Sequence, residues 1–312
     1  MDKIIESITE WLKEFFIGAI QTNLSTMFND VNAKVGTIAG EVGQTPQGWN
    51  AGIFSMIHTL SDNVILPIAG IIITYVLCYE LIHMVMEKNH GNDMEFWEFF
   101  VYFVKMWIAV WILSHTFDIA MAVFDVGQHI VSAATGVISA SSAIDASSVI
   151  AQMTASMDAM ELSELLLLMV ETWIVGFGMK ILSVLITVIL YGRMIEIYLY
   201  CSVAPIPFAT VTNREWGTIG TNYFKGLFAL AFQGFFIMVC VGIYAVLINS
   251  MTISSDVHMA LFSIMAYTIV LCFSLFHTGT LSKSIFNAHQ GGTGCFIYLY
   301  RRTFHRSRTR SH

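Results

Sequence analysis

Charge is what this chain has least of. Only 12% of its 312 residues are Asp, Glu, Lys or Arg, while 56% are hydrophobic, a balance far from that of a soluble domain. The net charge of −7 excludes a generally basic surface that coats nucleic acid, although the stretch "RRTFHRSRTRSH" at 301–312 is strongly basic. Cysteine pairing is also missing. Cys78, Cys201, Cys240, Cys272 and Cys295 show no CxxC spacing, and the first four sit in apolar runs where a thiol behaves as a small hydrophobe. Neither a disulfide framework nor a metal site is expected, and no cofactor. There is no phosphate-binding loop, no GxSxG elbow, no HExxH and no local cysteine-histidine signature, so catalysis is not expected either. His83, His115 and His277 stand alone in apolar context and read as packing residues. The first twenty residues lack a basic start followed by an apolar block, which leaves targeting to the first membrane span. No solenoid-period repeat and no paired broken helices of the inverted-repeat kind are present.

What remains is long apolar blocks. A crossing needs about 20 mainly apolar residues for roughly 30 Å of hydrocarbon, and five segments qualify: 64–86, 97–121, 165–190, 225–249 and 258–281. The fold class expected is therefore all-α, a polytopic integral membrane protein. Its bundle extends over 64–290. Short Lys- and Arg-rich loops stay cytoplasmic. Lys88 follows the first span; Arg193, Arg214 and Lys225 lie between the third and fourth; Lys283 and the arginines from Arg301 follow the fifth. From Met106 to Met179 there is no Lys or Arg at all. This asymmetry puts the N-terminus outside and the C-terminus, with a basic tail over 291–312, in the cytoplasm of a plasma-membrane protein.

Arg193 and Arg214 favour one face, so the apolar stretch between them reads as a re-entrant or interfacial hairpin over 194–213. Pro205 and Pro207 remove two backbone donors and force its turn. Irregular backbone at membrane depth survives only where protein or water solvates it, which places "CSVAPIPF" inside the bundle or a subunit interface. A kinked sixth crossing is the alternative.

Outside the spans, Ile4, Ile8, Trp11, Leu12, Phe15 and Ala19 keep helical spacing opposite Glu6, Glu10, Lys13 and Glu14, an amphipathic surface helix over 1–20. A glycine-rich stretch with Pro46 makes 21–63 an extracellular connector by composition. The segment 122–164 reads as an external loop, too long for a plain connection, with Ile150, Met153, Met157 and Met160 on one face of a short helix at about 147–161. Four ionisable residues lie at membrane depth. Glu80 and Lys105 are placed to pair across the first two spans as a structural staple; Glu171 and Lys180 mark a face toward protein or water. Arg193 and Glu196, three apart on a helix, are close enough to interact.

The blocks "AGIFSMIHTLSDNVILPIAGIIITYVLCYELI" and "GRMIEIYLYCSVAPIPFATVTNREWGTIGTNYFKGLFALAFQG" resemble the TrbL-type polytopic inner-membrane proteins of conjugative type IV secretion systems, in the form carried by Gram-positive mobile elements. The likeness runs from about Asn50 to His289. It implies a non-enzymatic channel or platform subunit in the export of single-stranded DNA and protein, energised by partner ATPases at the cytoplasmic face. It further implies other secretion subunits as partners, a homo-oligomer in the lipid bilayer, and transient contact with the single-stranded DNA substrate. Under this reading the loop 127–164 meets outer components and the element 193–214 inner ones. The competing classes are a stand-alone small-solute transporter or ion channel, which needs a closed polar site at Glu171 and Lys180, and a membrane immunity protein.

Overall fold

The computed structural model describes residues 2–88, 96–139, 146–213, 215–250, 257–286 and 288, and among them every regular element is helical. The basic tail, Arg214 and Cys295 lie outside the described residues.

The first helix, α1 (Asp2–Val42), is twice the length expected. Its amphipathic start continues through the stretch read as a connector, because Ile20, Leu24, Met27, Phe28, Val31 and Ile38 keep helical spacing and are all buried. Gly36 and Gly40 each cost a helix about 1 kcal/mol relative to alanine. Burying that row of side chains outweighs them. Two short helices follow, α2 (Pro46–Trp49), capped by the Thr45 hydroxyl, and α3 (Ala51–Leu60), capped by the Asn50 side chain. A π-helical turn at Ser61–Ile65 then leads into α4 (Leu66–Lys88). Pro67 sits directly after it, and the widened turn accommodates the missing N–H that would kink an ordinary helix.

The sequence reading takes 97–121 as one span and 122–164 as a loop; the structure divides this region differently. Helix α5 (Phe96–Ser114) ends at His115, and α6 (Thr116–Ser139) begins at once. Asp118, Asp125, Gln128 and His129 dilute the hydropathy of α6, yet Phe117, Ala120, Phe124 and Val131 form a buried row on one side of it. The remaining elements are α7 (Ala146–Met157), α8 (Leu162–Ser202), α9 (Pro205–Thr210), α10 (Gly217–Asn249) and α11 (Val257–Ile285). On α7 the methionine stripe turns inward, Met153 and Met157 being fully buried against α1 and α8. Six helical stretches are long and apolar enough to cross a membrane: Ala51–Met86, Trp97–Ser114, Thr116–Ile138, Leu162–Ser202, Gly217–Asn249 and Val257–Ile285. The protein is an all-α polytopic membrane protein. The sixth stretch is the one that the polar residues of α6 conceal.

Neighbour contacts close a ring of five helices in the order α1, α6, α10, α11, α8. Side-chain pairs fix the directions. Asn23 donates to Thr172 and Lys34 to Thr187, so α1 runs parallel to α8. Tyr244 meets Thr268 and Gln233 donates to Thr278, so α10 runs antiparallel to α11. Gly127 lies on Ala231 and Gly242 on Ile138, so α6 runs parallel to α10. The α4–α5 hairpin leaves this ring and returns to the level it left, since the rings of His58 and Phe117 meet at 4.4 Å.

The α6–α10 crossing is tight because Gly127 has no side chain: a β-carbon there would stand 3.0 Å from the Ala231 backbone oxygen and from its β-carbon. Gly127→Val should lower stability by about 1–3 kcal/mol through overpacking. Gly70→Ala, at a position with nothing within 4 Å, should leave it unchanged or slightly higher. Thermal unfolding of both variants in detergent checks the pair.

Candidate functional site

Helix α8 runs without interruption through Arg193 to Ser202, so the first part of the expected hairpin is the end of a long helix. The element over 194–213 is not a separate two-armed dip. It is the junction between α8 and α10, which run antiparallel on either side of it. Pro205 occupies the first turn of α9, where a missing N–H costs nothing. Pro205 and Phe208 are buried, as are Cys201, Ser202 and Ala204; Pro207 and Ile206 are half-buried and Val203 is exposed.

Aromatic stacking holds the junction. Tyr200 stacks on Tyr223 at 4.8 Å, and the Tyr223 hydroxyl donates to the Tyr200 carbonyl at 2.7 Å, one of the carbonyls that the helix end leaves free. Phe208 packs on Phe224 at 4.5 Å and edge-on to Tyr223. On the far side Ala209 meets Ala69, Ile73 and Leu77 of α4. Two glycines of α10 make room: a β-carbon on Gly220 would overlap Val211 and the Pro207 carbonyl, and one on Gly226 would overlap the Tyr200 hydroxyl. The buried Asn213 side chain accepts from the N–H groups of Glu215 and Trp216 at 2.8 and 2.9 Å, closing the turn into α10.

The ionisable residues sort into three groups. Glu80 and Lys105 form an ion pair across the α4–α5 hairpin, beside a cavity of about 490 Å³ also lined by Tyr79, Trp97 and Glu215. Glu171 and Lys180 do not meet: Glu171 takes His258 of α11, while Lys180 is exposed at a cavity of about 420 Å³ shared with Asp30 and Lys34. Arg193 and Glu196 are also differently engaged from the expectation of a local pair. Glu196 accepts from Lys283 at 2.6 Å. Arg193 is 7% exposed in the core, its Nε without a hydrogen-bond partner, next to Gly234, Val42 and Val131. A helix directs residues three apart to one side only loosely, and here the neighbouring helix offers Glu196 a closer cation.

His258, Lys283 and Gln233 escape a reading of the sequence taken span by span. A signal was present. Glu171 and Glu196 on α8 are separated by 25 residues, as are His258 and Lys283 on α11, so two parallel helices match at both ends. At 1.5 Å per residue the two pairs stand about 37 Å apart, enough to bracket the roughly 30 Å hydrocarbon core. Gln233 donates to Thr278 in the interior and Ser282 to the Ala229 carbonyl, a buried polar layer near the Lys283 end. Among the described residues no group of three or more His, Cys, Asp or Glu side chains converges to hold a metal.

A double-mutant cycle separates the two accounts of Glu196. Combining Glu196→Gln with Lys283→Met should reveal a coupling of about 0.5–1 kcal/mol, modest because the pair is partly exposed. Glu196→Gln with Arg193→Met should show a smaller one. Denaturation of the purified protein in detergent gives both values.

No curated protein and no solved structure gives a significant match to the chain. A family model does: the one described as TrbL/VirB6 plasmid conjugal transfer like protein matches residues 31–205, more than half of the chain, from the last third of α1 to the first proline of α9. With its apolar helices and its proline junction the chain belongs to the TrbL/VirB6 plasmid conjugal transfer like family.

Proposed function

We propose that the protein is a non-catalytic subunit of a conjugative type IV secretion machine and acts in the export of single-stranded DNA and protein. Its partners in this reading are other secretion subunits and the cytoplasmic ATPases that supply energy. Several copies assemble in the plasma membrane, with the N-terminus outside and the C-terminus inside. Transient contact with the DNA substrate belongs to the same proposal. The observation that carries it is the family match over 31–205, which includes the whole of the α8 span and its exit into the buried Ala-Pro turn. The competing transporter needs a closed polar site made by Glu171 and Lys180, and Glu171 is instead engaged by His258.

The proline junction is the element assigned here to subunit contact at the inner face. Two prolines, a stacked tyrosine pair and two close-approach glycines fix it, with Glu215 exposed at its exit into α10. Such an element suits a docking role in which its shape is read.

An in-frame deletion in a donor strain should reduce conjugation to background, with recovery on expression of the intact chain from a second site; wild-type frequency in the deletion would overturn the proposal. Replacing both Pro205 and Pro207 by alanine should lower transfer by roughly tenfold or more, since an extended helix would no longer present the turn, while leaving the amount of protein in the membrane close to normal. Mating frequency and membrane immunoblots read the two effects.

A further inference from the structure

The outer surface of the five-helix ring is of two kinds. On α8, Trp173, Ile174, Phe177, Val184 and Val188 are each 59–70% exposed, a surface that only lipid or another apolar face can cover. On α1 the situation is reversed. Between Phe15 and Met56 no large apolar side chain is exposed among the described residues. The outward positions there are Thr22, Thr26, Asn29, Asp30, Gly36 and Gly40. Helix α6, the next member of the ring, continues the same surface with Asp125, Gln128, His129, Ser132 and Gly136, while Val126 and Val137 are exposed to one side of them.

The level of this surface is set by contacts already described. Asn23 bonds Thr172 and Lys34 bonds Thr187, so residues 23–34 of α1 lie between the Glu171–His258 and Glu196–Lys283 pairs that bracket the hydrocarbon. Asp30, Lys34 and Lys180 therefore sit at bilayer depth around one cavity. Charged side chains at that depth face protein or water, since lipid cannot solvate them. Hydropathy overlooks α1 as a membrane element because from Thr22 to Gly40 its outward face exposes no large apolar side chain among the described residues.

Sidedness provides an independent argument. Six apolar crossings would put the start of α1 and the end of α11 on one side of the membrane. The contacts place them at opposite ends of the bundle, because α1 is parallel to α8, and α8, through the His258 and Lys283 pairs, is parallel to α11. The α4–α5 hairpin returns to its own starting level and changes nothing. An additional membrane-depth helix restores the parity, and α1 is that helix.

We infer that α1 traverses the bilayer alongside α8 and that the joint outward face of α1 and α6 is wetted, forming one wall of an aqueous path through the membrane. Water is the occupant that the residues fit. Asp30, Asn29, Gln128 and His129 present unscreened donors and acceptors, and the hydroxyls of Thr22, Thr26 and Ser132 lie among them. The relevance of this wall to DNA transfer rests on the function proposed above; its wetting does not.

The test uses single cysteines in the full-length chain from which the five native cysteines have been removed. Thr26→Cys, Gly36→Cys and Ser132→Cys report on the wall, and Phe177→Cys and Val188→Cys on the lipid-facing side. Membranes are treated with a small charged methanethiosulfonate, and the remaining thiols are counted with a mass-tagged maleimide. The wall cysteines should react at least roughly tenfold faster than the two on α8, because the reactive thiolate forms only where water reaches. Equal, slow reaction at all five positions overturns the inference. Slow reaction at the wall cysteines together with disulfides between copies also overturns it, in favour of a dry interface. Because the reagent reads wetting and not mating, a chain with no part in conjugation would still give the expected rates if the wall is wet, and the deletion experiment alone would then fail.

Discussion

Two polar clasps between α8 and α11 govern the architecture: His258 on Glu171 at one end and Lys283 on Glu196 at the other. They fix the relative direction of the two helices, hold them in register along their length and leave between them a stretch with the thickness of hydrocarbon. A carboxylate in that medium is tolerable only when a donor meets it. The rest of the ring is built within that frame. Helix α10 runs back along α11, and its polar side chains are matched in turn, Gln233 with Thr278 and Tyr244 with Thr268. Arg193 is the exception, a cation enclosed where four helices converge.

Much of this was legible in order of residues, and the part that was not has one cause. Apolar blocks declare themselves by composition, so α10 and α11 are read nearly as they stand and α8 as far as Leu190, and "CSVAPIPF" announces a break by its prolines. Helices with a polar side do not declare themselves. Asp118, Asp125 and Gln128 make α6 look like a loop, and Asn29, Asp30, Gly36 and Gly40 make the second half of α1 look like a connector, although both bury a continuous row of Ile, Val, Met and Phe. Window averages sum over the whole circumference of a helix, while folding responds to one side of it. Ionic partners were legible where one hairpin joins them, as in Glu80 with Lys105, and not otherwise. Glu171 and Glu196 take theirs from a helix some 87 residues away, which no local spacing announces.

The functional reading gains coherence from the same division. A chain whose surface is apolar on α8 and polar on α1 and α6 has a distinct inside and outside once copies or partners gather around a path. The proline junction stands at one end of that arrangement. Helix α7, its methionines sunk against α1, closes the opposite end and is therefore a brace for α1 more than a sticky surface.

The chain joins the hairpin of α4 and α5 to the ring at one level, through the π turn at Ser61–Ile65 and the break at His115. A third attachment is non-covalent: Ala69, Ile73 and Leu77 rest on Ala209, and Tyr75 and Tyr79 stack on Trp216. Any swing of the hairpin, with Trp97, Trp107 and Trp111 on its rim, would therefore strain the proline junction first, so the two elements are mechanically geared to each other.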